Sequence, residues 1–95
     1  MRVIKKVPGR RAEVVEIENG LKSLQEAVGG YIEVAYPFRG PVGVICNEEG
    51  LLLNLPFNTF LRGLYLFGTI LIVGLTEDDF CDVPEEYVPG LLRAL

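Results

Sequence analysis

Ninety-five residues with nine Lys and Arg, thirteen Asp and Glu, no His and no Trp describe one small acidic domain, residues 1–95, of formal charge −4. A chain of this length buries roughly 60 to 68% of the surface its unfolded form exposes, enough for one core and too little for two. Without His there is no Ser-His-Asp or Cys-His catalysis, no imidazole metal ligand and no histidine pH switch.

Composition holds one oddity. Counting Gly and leaving out Tyr, 54 of the 95 residues are apolar, about 57% against the 45–50% of ordinary domains. Disordered chains are poor in the branched aliphatics abundant here, so the chain folds and something must cover the excess. Cys46 and Cys81 lie 35 apart with no second Cys beside either, which excludes a Cys-only zinc site and a C-x-x-C redox pair within one chain. Both thiols read as reduced, which places the chain in the cytoplasm.

Met1-Arg2-Val3-Ile4-Lys5-Lys6 is positively charged, but no apolar stretch of signal-peptide length follows it. Val3 to Val7 and Glu13 to Ile17 are runs of β-branched residues around Pro8-Gly9-Arg10-Arg11, the pattern of a hairpin. Charge selects its register. Pairing residues whose numbers sum to 18 sets Lys5 against Glu13, Arg2 against Glu16 and Val3 against Val15, each pair worth roughly 0.2–1 kcal/mol. Five of the nine basic residues fall in the first eleven positions. They face the acids of the next strand, which argues against a nucleic-acid partner.

Leu21, Leu24 and Val28 at i, i+3, i+7 predict a short amphipathic helix with Asn19 as N-cap and Gly29 or Gly30 in the left-handed position at its end. Tyr31 to Tyr36 alternates with period two and predicts a strand; Val42 to Cys46 predicts another, with Cys46 a buried, inert thiol. Asn47-Glu48-Glu49-Gly50 has the composition of a type I turn, and Leu51 to Leu53 is expected to return as a strand.

Pro56 and Asn58 announce a second helix, with Asn58 as N-cap and Phe60, Leu61, Leu64 and Phe67 inward. That helix is apolar nearly all round apart from Arg62, so it is buried or meets a partner. Thr69 to Val73 lacks alternation and reads as a central strand buried on both faces. The uncharged stretch Gly63 to Thr76 is 14 residues, short of the ~20 a membrane helix needs, and no membrane partner is expected. Asp82-Val83-Pro84-Glu85 resembles a capping box, and Pro89-Gly90 is expected to cut the helix after it short. The fold class is α+β: a mostly antiparallel sheet with an N-terminal hairpin and two to three short helices on one face.

Glu77, Asp78, Asp79 and Asp82 lack the EF-hand's alternating acids, sixth-position Gly and twelfth-position Glu, and read as a solvated loop. No cofactor or metal is called for. An enzyme would have to work with carboxylates, Tyr or Cys alone, and no pair is placed to do so. Asn54 to Asn58, an apolar loop with two Asn beside Arg62, is the one stretch that could shape a pocket with convergent polar groups.

Gly29-Gly30-Tyr31-Ile32-Glu33-Val34, Cys46-Asn47-Glu48-Glu49-Gly50, Leu55-Pro56-Phe57-Asn58, and Gly68-Thr69 running into Leu71-Ile72-Val73-Gly74 stand in one order along the chain. In these motifs the chain resembles a family of small uncharacterised domains of about this length, found in Firmicutes, their phages and conjugative elements. The resemblance implies no catalytic residues; Asn47, Asn54 and Asn58 are family-typical positions. Leu51-Leu52-Leu53 departs from the family, whose members often carry a polar residue after the turn, and this favours a contact surface there.

The expected function is therefore that of a non-enzymatic accessory protein of a mobile element or its host, acting by protein binding or homodimerisation. Its expected surface comprises Leu51, Leu53, Asn54, Asn58, Arg62, Tyr65 and Tyr31. The alternative is a binder of a small, nucleotide-like ligand, with Asn54, Asn58, Arg62 and Tyr31 around the pocket.

Overall fold

A computed structural model describes all 95 residues. Strands β1 (Arg2–Lys6) and β2 (Glu13–Glu16) form the N-terminal hairpin, in the register that the charges select: Arg2 opposite Glu16, Val3 opposite Val15, Lys5 opposite Glu13. Helix α1 (Leu21–Val28) follows, then β3 (Ile32–Ala35) and β4 (Val42–Asn47). A second hairpin, β5 (Phe57–Leu61) and β6 (Leu64–Phe67), precedes β7 (Ile70–Leu75) and the two-residue β8 (Phe80–Cys81). A 3₁₀ turn (Glu85–Tyr87) leads into α2 (Val88–Ala94).

The main sheet has the order β2-β1-β7-β4-β3, antiparallel throughout, with β8 also paired to β7. β7 lies at its centre, as its unbroken apolar run predicts, and β4 beside it is buried along its whole length. Alternation along these strands divides the core in two. Val3, Ile45, Leu71 and Val73 pack against Leu24 and Val28 of α1. Ile4, Val44, Ile70 and Ile72 point the other way, against Leu61 and Leu66 of the second hairpin and Leu91 of α2.

The helices therefore lie on opposite faces, a correction to the expectation of one face. A strand buried on both sides leaves two apolar surfaces to cover, so each needs its own layer. The region expected to be a helix from Asn58 is instead the β5–β6 hairpin. Arg62 and Gly63 both have positive φ, 46° and 89°, the pair of left-handed conformations that a type I′ turn requires and a helix forbids.

Three further local expectations change. Asn19 does not cap α1: Gly20 occupies that position, and the Asn19 amide donates to the Phe80 carbonyl at 3.1 Å. The other end of α1 closes on Gly29 in the left-handed conformation, as predicted. Leu51 to Leu53 form no strand; they follow the Asn47–Gly50 turn in a continuing series of turns closed by amide bonds from Leu53 to Glu49 and Asn54 to Leu51. Pro89-Gly90 opens α2 rather than ending a helix, because a proline in the first turn gives up only an amide that has no partner there anyway.

Gly74 shows how closely β8 approaches. A Cβ at that position would lie 2.8 Å from the Cys81 sulfur and collide with the Asp82 backbone. The chain is held here at both ends: the Arg2 amide donates to the Asp82 carboxylate at 2.9 Å, the Val83 amide to the Arg2 carbonyl at 2.9 Å, and Arg2 and Glu85 form an ion pair. Asp79 joins Asp82 and Glu85 in making a local bond, its carboxylate accepting the Phe80 amide at 2.7 Å, while the Thr76 hydroxyl and the Asp79 backbone close a turn on each other.

Candidate functional site: the outer face of the second hairpin

β5 does not alternate cleanly, because a bulge falls between Phe57 and Thr59. The extra residue, Asn58, turns its side chain into the interior, where the amide donates to the carbonyls of Lys6 and Gly68, both at 2.8 Å. Bulges re-aim side chains in this way. With Asn58, Leu61 and Leu66 directed inward, the aromatic residues of the hairpin are left on its outer side.

Phe57 is 52% exposed, Phe60 54% and Tyr65 68%. Phe60 and Tyr65 are cross-strand partners with ring centroids 4.8 Å apart; Phe57 lies 6.4 Å from Tyr65 and 5.8 Å from Phe67. These are the separations of interacting rings. The Leu51–Leu53 turn extends the apolar area, with exposures of 73%, 84% and 53%. A groove of about 190 Å³, lined by Leu51, Tyr65 and Phe67 together with Glu33 and Cys46, joins the turn to the hairpin.

The residues singled out from the sequence are not gathered around one cavity. Leu51 and Tyr65 share that groove, while Leu53 and Tyr31 border a separate shallow depression of about 270 Å³ beside Gly29 and Gly30. Asn54, with φ of 57°, closes the leucine turn. Asn58 is buried as a structural tie, and Arg62 lines a third cavity with its guanidinium 5.4 Å from the centre of the Phe38 ring. Leu52 lies in the Leu51–Leu53 segment expected as a contact surface, whereas Phe57 and Phe60 belong to the apolar face and are not among the expected residues. The Arg62-Gly63 pair was the signal that could have found them, since a two-residue turn there puts Phe60 and Tyr65 side by side.

Asn47 is also structural. Its amide donates to the Val28 carbonyl at 3.1 Å, satisfying one of the free carbonyls at the end of α1, while its oxygen accepts the Glu49 amide at 2.7 Å. Gly30 leaves room for it: a Cβ there would lie 2.9 Å from the Asn47 nitrogen.

Cys46 is buried, and its thiol donates weakly to the Glu33 carbonyl at 3.8 Å. Burial pushes the thiol from an ordinary 9.0 up to about 11, with the neighbouring Glu33 carboxylate adding to the rise. That suits a packing residue and not a nucleophile. No three His, Cys, Asp or Glu side chains are grouped to hold a metal ion, and no helix is long and apolar enough to cross a membrane.

No curated protein and no solved structure shows significant similarity to the chain. A family model does, over residues 1–94 and so over every element described above. The chain belongs to the family of the domain of unknown function DUF3846.

Proposed function

We propose that this protein is a non-enzymatic accessory protein that acts by protein binding, and that its contact surface is the outer face of β5–β6 with the Leu51–Leu53 turn. The supporting observation is a set of six apolar side chains, each more than half exposed, Phe57, Phe60 and Tyr65 on the hairpin and Leu51 to Leu53 on the turn, with Leu51 and Tyr65 meeting in one groove. Exposed apolar patches of this kind mark interaction sites.

The occupant is a second copy of the chain. None of the six side chains carries a charge that would select a charged partner, so the complementary surface is itself apolar and uncharged. A two-fold axis through the patch supplies one at once, because an isologous interface sets the same residues against themselves. Aromatic residues are enriched at the cores of such interfaces. The two free thiols, Cys46 and Cys81, suit a reducing, cytoplasmic setting, and the family resemblance supports a role in a mobile element or its host.

Sedimentation equilibrium at micromolar concentration tests this reading. A dimer is expected for the native chain and a folded monomer for Phe60→Glu/Tyr65→Glu. A native chain that sediments as a monomer at tens of micromolar, or a variant that still dimerises, would contradict it.

A further inference from the structure

The largest cavity lies away from the apolar face, at the tip of the second hairpin. It measures about 500 Å³ and lies between the β3–β4 connection, the β5–β6 turn, the 3₁₀ turn and α2. Its volume falls in the range of small-molecule sites, about 300–1,000 Å³. Phe38, Leu61 and Leu91 supply apolar walls, and Arg39, Arg62 and Tyr87 supply the polar groups.

Three observations give this cleft a chemical preference. First, both guanidiniums are uncommitted: the ion pairs of the protein are Met1 with Glu16 and Arg2 with Glu85, and neither Arg39 nor Arg62 makes a hydrogen bond to the protein. Glu86 is the single acid on the lining and is paired with neither. In a chain of net charge −4, this is a local excess of positive charge. Second, Arg62 is held on the rim. It occupies a left-handed turn position, and its guanidinium stacks over Phe38, an arrangement that orients the cation while leaving it unneutralised. Third, the half-buried Tyr87 has a hydroxyl without a hydrogen-bond partner, and it lies where any side chain at position 40 would collide with it. Gly40 has an ordinary backbone conformation, so the glycine serves here to admit the tyrosine.

We infer that the cleft binds a small organic phosphate carrying a planar ring, with the phosphate between Arg39 and Arg62 and the ring against the apolar wall. Two guanidiniums match a dianion better than the single charge of a carboxylate, and arginine meets phosphate oxygens with paired, charge-assisted hydrogen bonds. The tyrosine hydroxyl adds one donor. This inference is independent of self-association, which uses the opposite, outer side of the hairpin residues.

Titration of the ¹⁵N-labelled native chain with AMP, phenyl phosphate, inorganic phosphate and adenosine, followed by amide shifts, tests it. AMP or phenyl phosphate is expected to shift the amides of Phe38 to Gly40, Arg62 and Tyr87 to Leu91 saturably below about 10 mM, a threshold for weak but specific binding. Whichever of the two binds more tightly identifies a nucleotide or a simple aryl phosphate as the source. Arg39→Ala/Arg62→Asn should weaken that binding at least about tenfold, the scale of one lost charge-assisted bond. Asn is chosen at position 62 because it tolerates the left-handed backbone, and an unchanged melting temperature confirms that the variant is folded. Absence of saturable shifts, shifts confined to other residues, equal binding by adenosine or by inorganic phosphate alone, or equal binding by the variant would each overturn the assignment.

Discussion

The Asn58 amide donates to the carbonyl of Lys6, 52 residues earlier in the chain, at 2.8 Å. Together with its bond to the Gly68 carbonyl, this ties the second hairpin to the end of β1. Replacing Asn58 with Ala strands two carbonyls beneath the hairpin and should cost about 2–3 kcal/mol in urea denaturation. Asn58→Asp carries a test of sign. A carboxylate cannot donate to either carbonyl, so the folded state favours the protonated acid and raises its pKa. Stability of that variant is then fully present below the unfolded value, about 4, and is lost as pH rises through the higher folded value.

Gly63 separates a hairpin from a helix by the direction of one effect. At φ of 89° an added Cβ is strained, so Gly63→Ala should destabilise the protein by about 1 kcal/mol or more, read as a lower urea midpoint. Were residues 58–67 helical, the same change would stabilise by about 1 kcal/mol.

Cys46 gives a pH signature. Its thiol titrates at about 11 in the folded protein and at about 9 when exposed. At pH 8 the thiolate is therefore about a hundredfold scarcer than in a free cysteine, and alkylation by iodoacetamide should be slower by a similar factor. A folded pKa raised above the unfolded one means that the contribution to stability is intact below pH 9 and declines between about pH 9 and 11. The decline should be shallower in Cys46→Val, whose denaturation curves across that window isolate the thiol.

Self-association through the aromatic face links stability to concentration. Binding that favours the folded state raises the melting temperature by mass action, so the native chain should melt at higher temperature as its concentration rises from about 1 to 100 μM. Phe60→Glu/Tyr65→Glu should melt at one temperature throughout. Both side chains are more than half exposed, but they are a cross-strand ring pair, so two like charges set opposite each other there should cost about 1–2 kcal/mol of intrinsic stability and place that single temperature below the native one.

The first hairpin and the central strand could be read from the sequence because their signals are strong and local. Lys5 opposite Glu13 and Arg2 opposite Glu16 point to the observed register, although the ion pairs themselves run from Arg2 to Glu85 and from Glu16 to the amino terminus, and the branched run into β7 has no polar face to place in water. The second hairpin escaped for a physical reason. The bulge at Asn58 breaks the period of two, and Phe60, Leu61, Leu64 and Phe67 happen to satisfy helical spacing, so periodicity pointed to the wrong element. The candidate site inherited that error. Asn58 has the sequence context of a helix N-cap or of a polar group in a pocket, whereas the bulge turns it inward and leaves Phe57 and Phe60 outside. Of the exposed large apolar side chains, Leu51 to Leu53, Phe57, Phe60 and Tyr65 lie on the turn and the hairpin face, and Leu21, Tyr31, Tyr36 and Leu92 lie elsewhere. The cleft of Arg39, Arg62 and Tyr87 joins residues separated by up to 48 positions, and no local pattern in the chain announces it.

The most direct test of the central proposal is an isotope-filtered NOE measurement on an equimolar mixture of labelled and unlabelled native chains. Self-association through this face predicts intermolecular NOEs from the rings of Phe57, Phe60 and Tyr65 to those rings and to the methyl groups of Leu51 and Leu52 in the other copy. Intermolecular NOEs from a different surface, or none from these rings at concentrations of about 1 mM where weak dimers form, would contradict it.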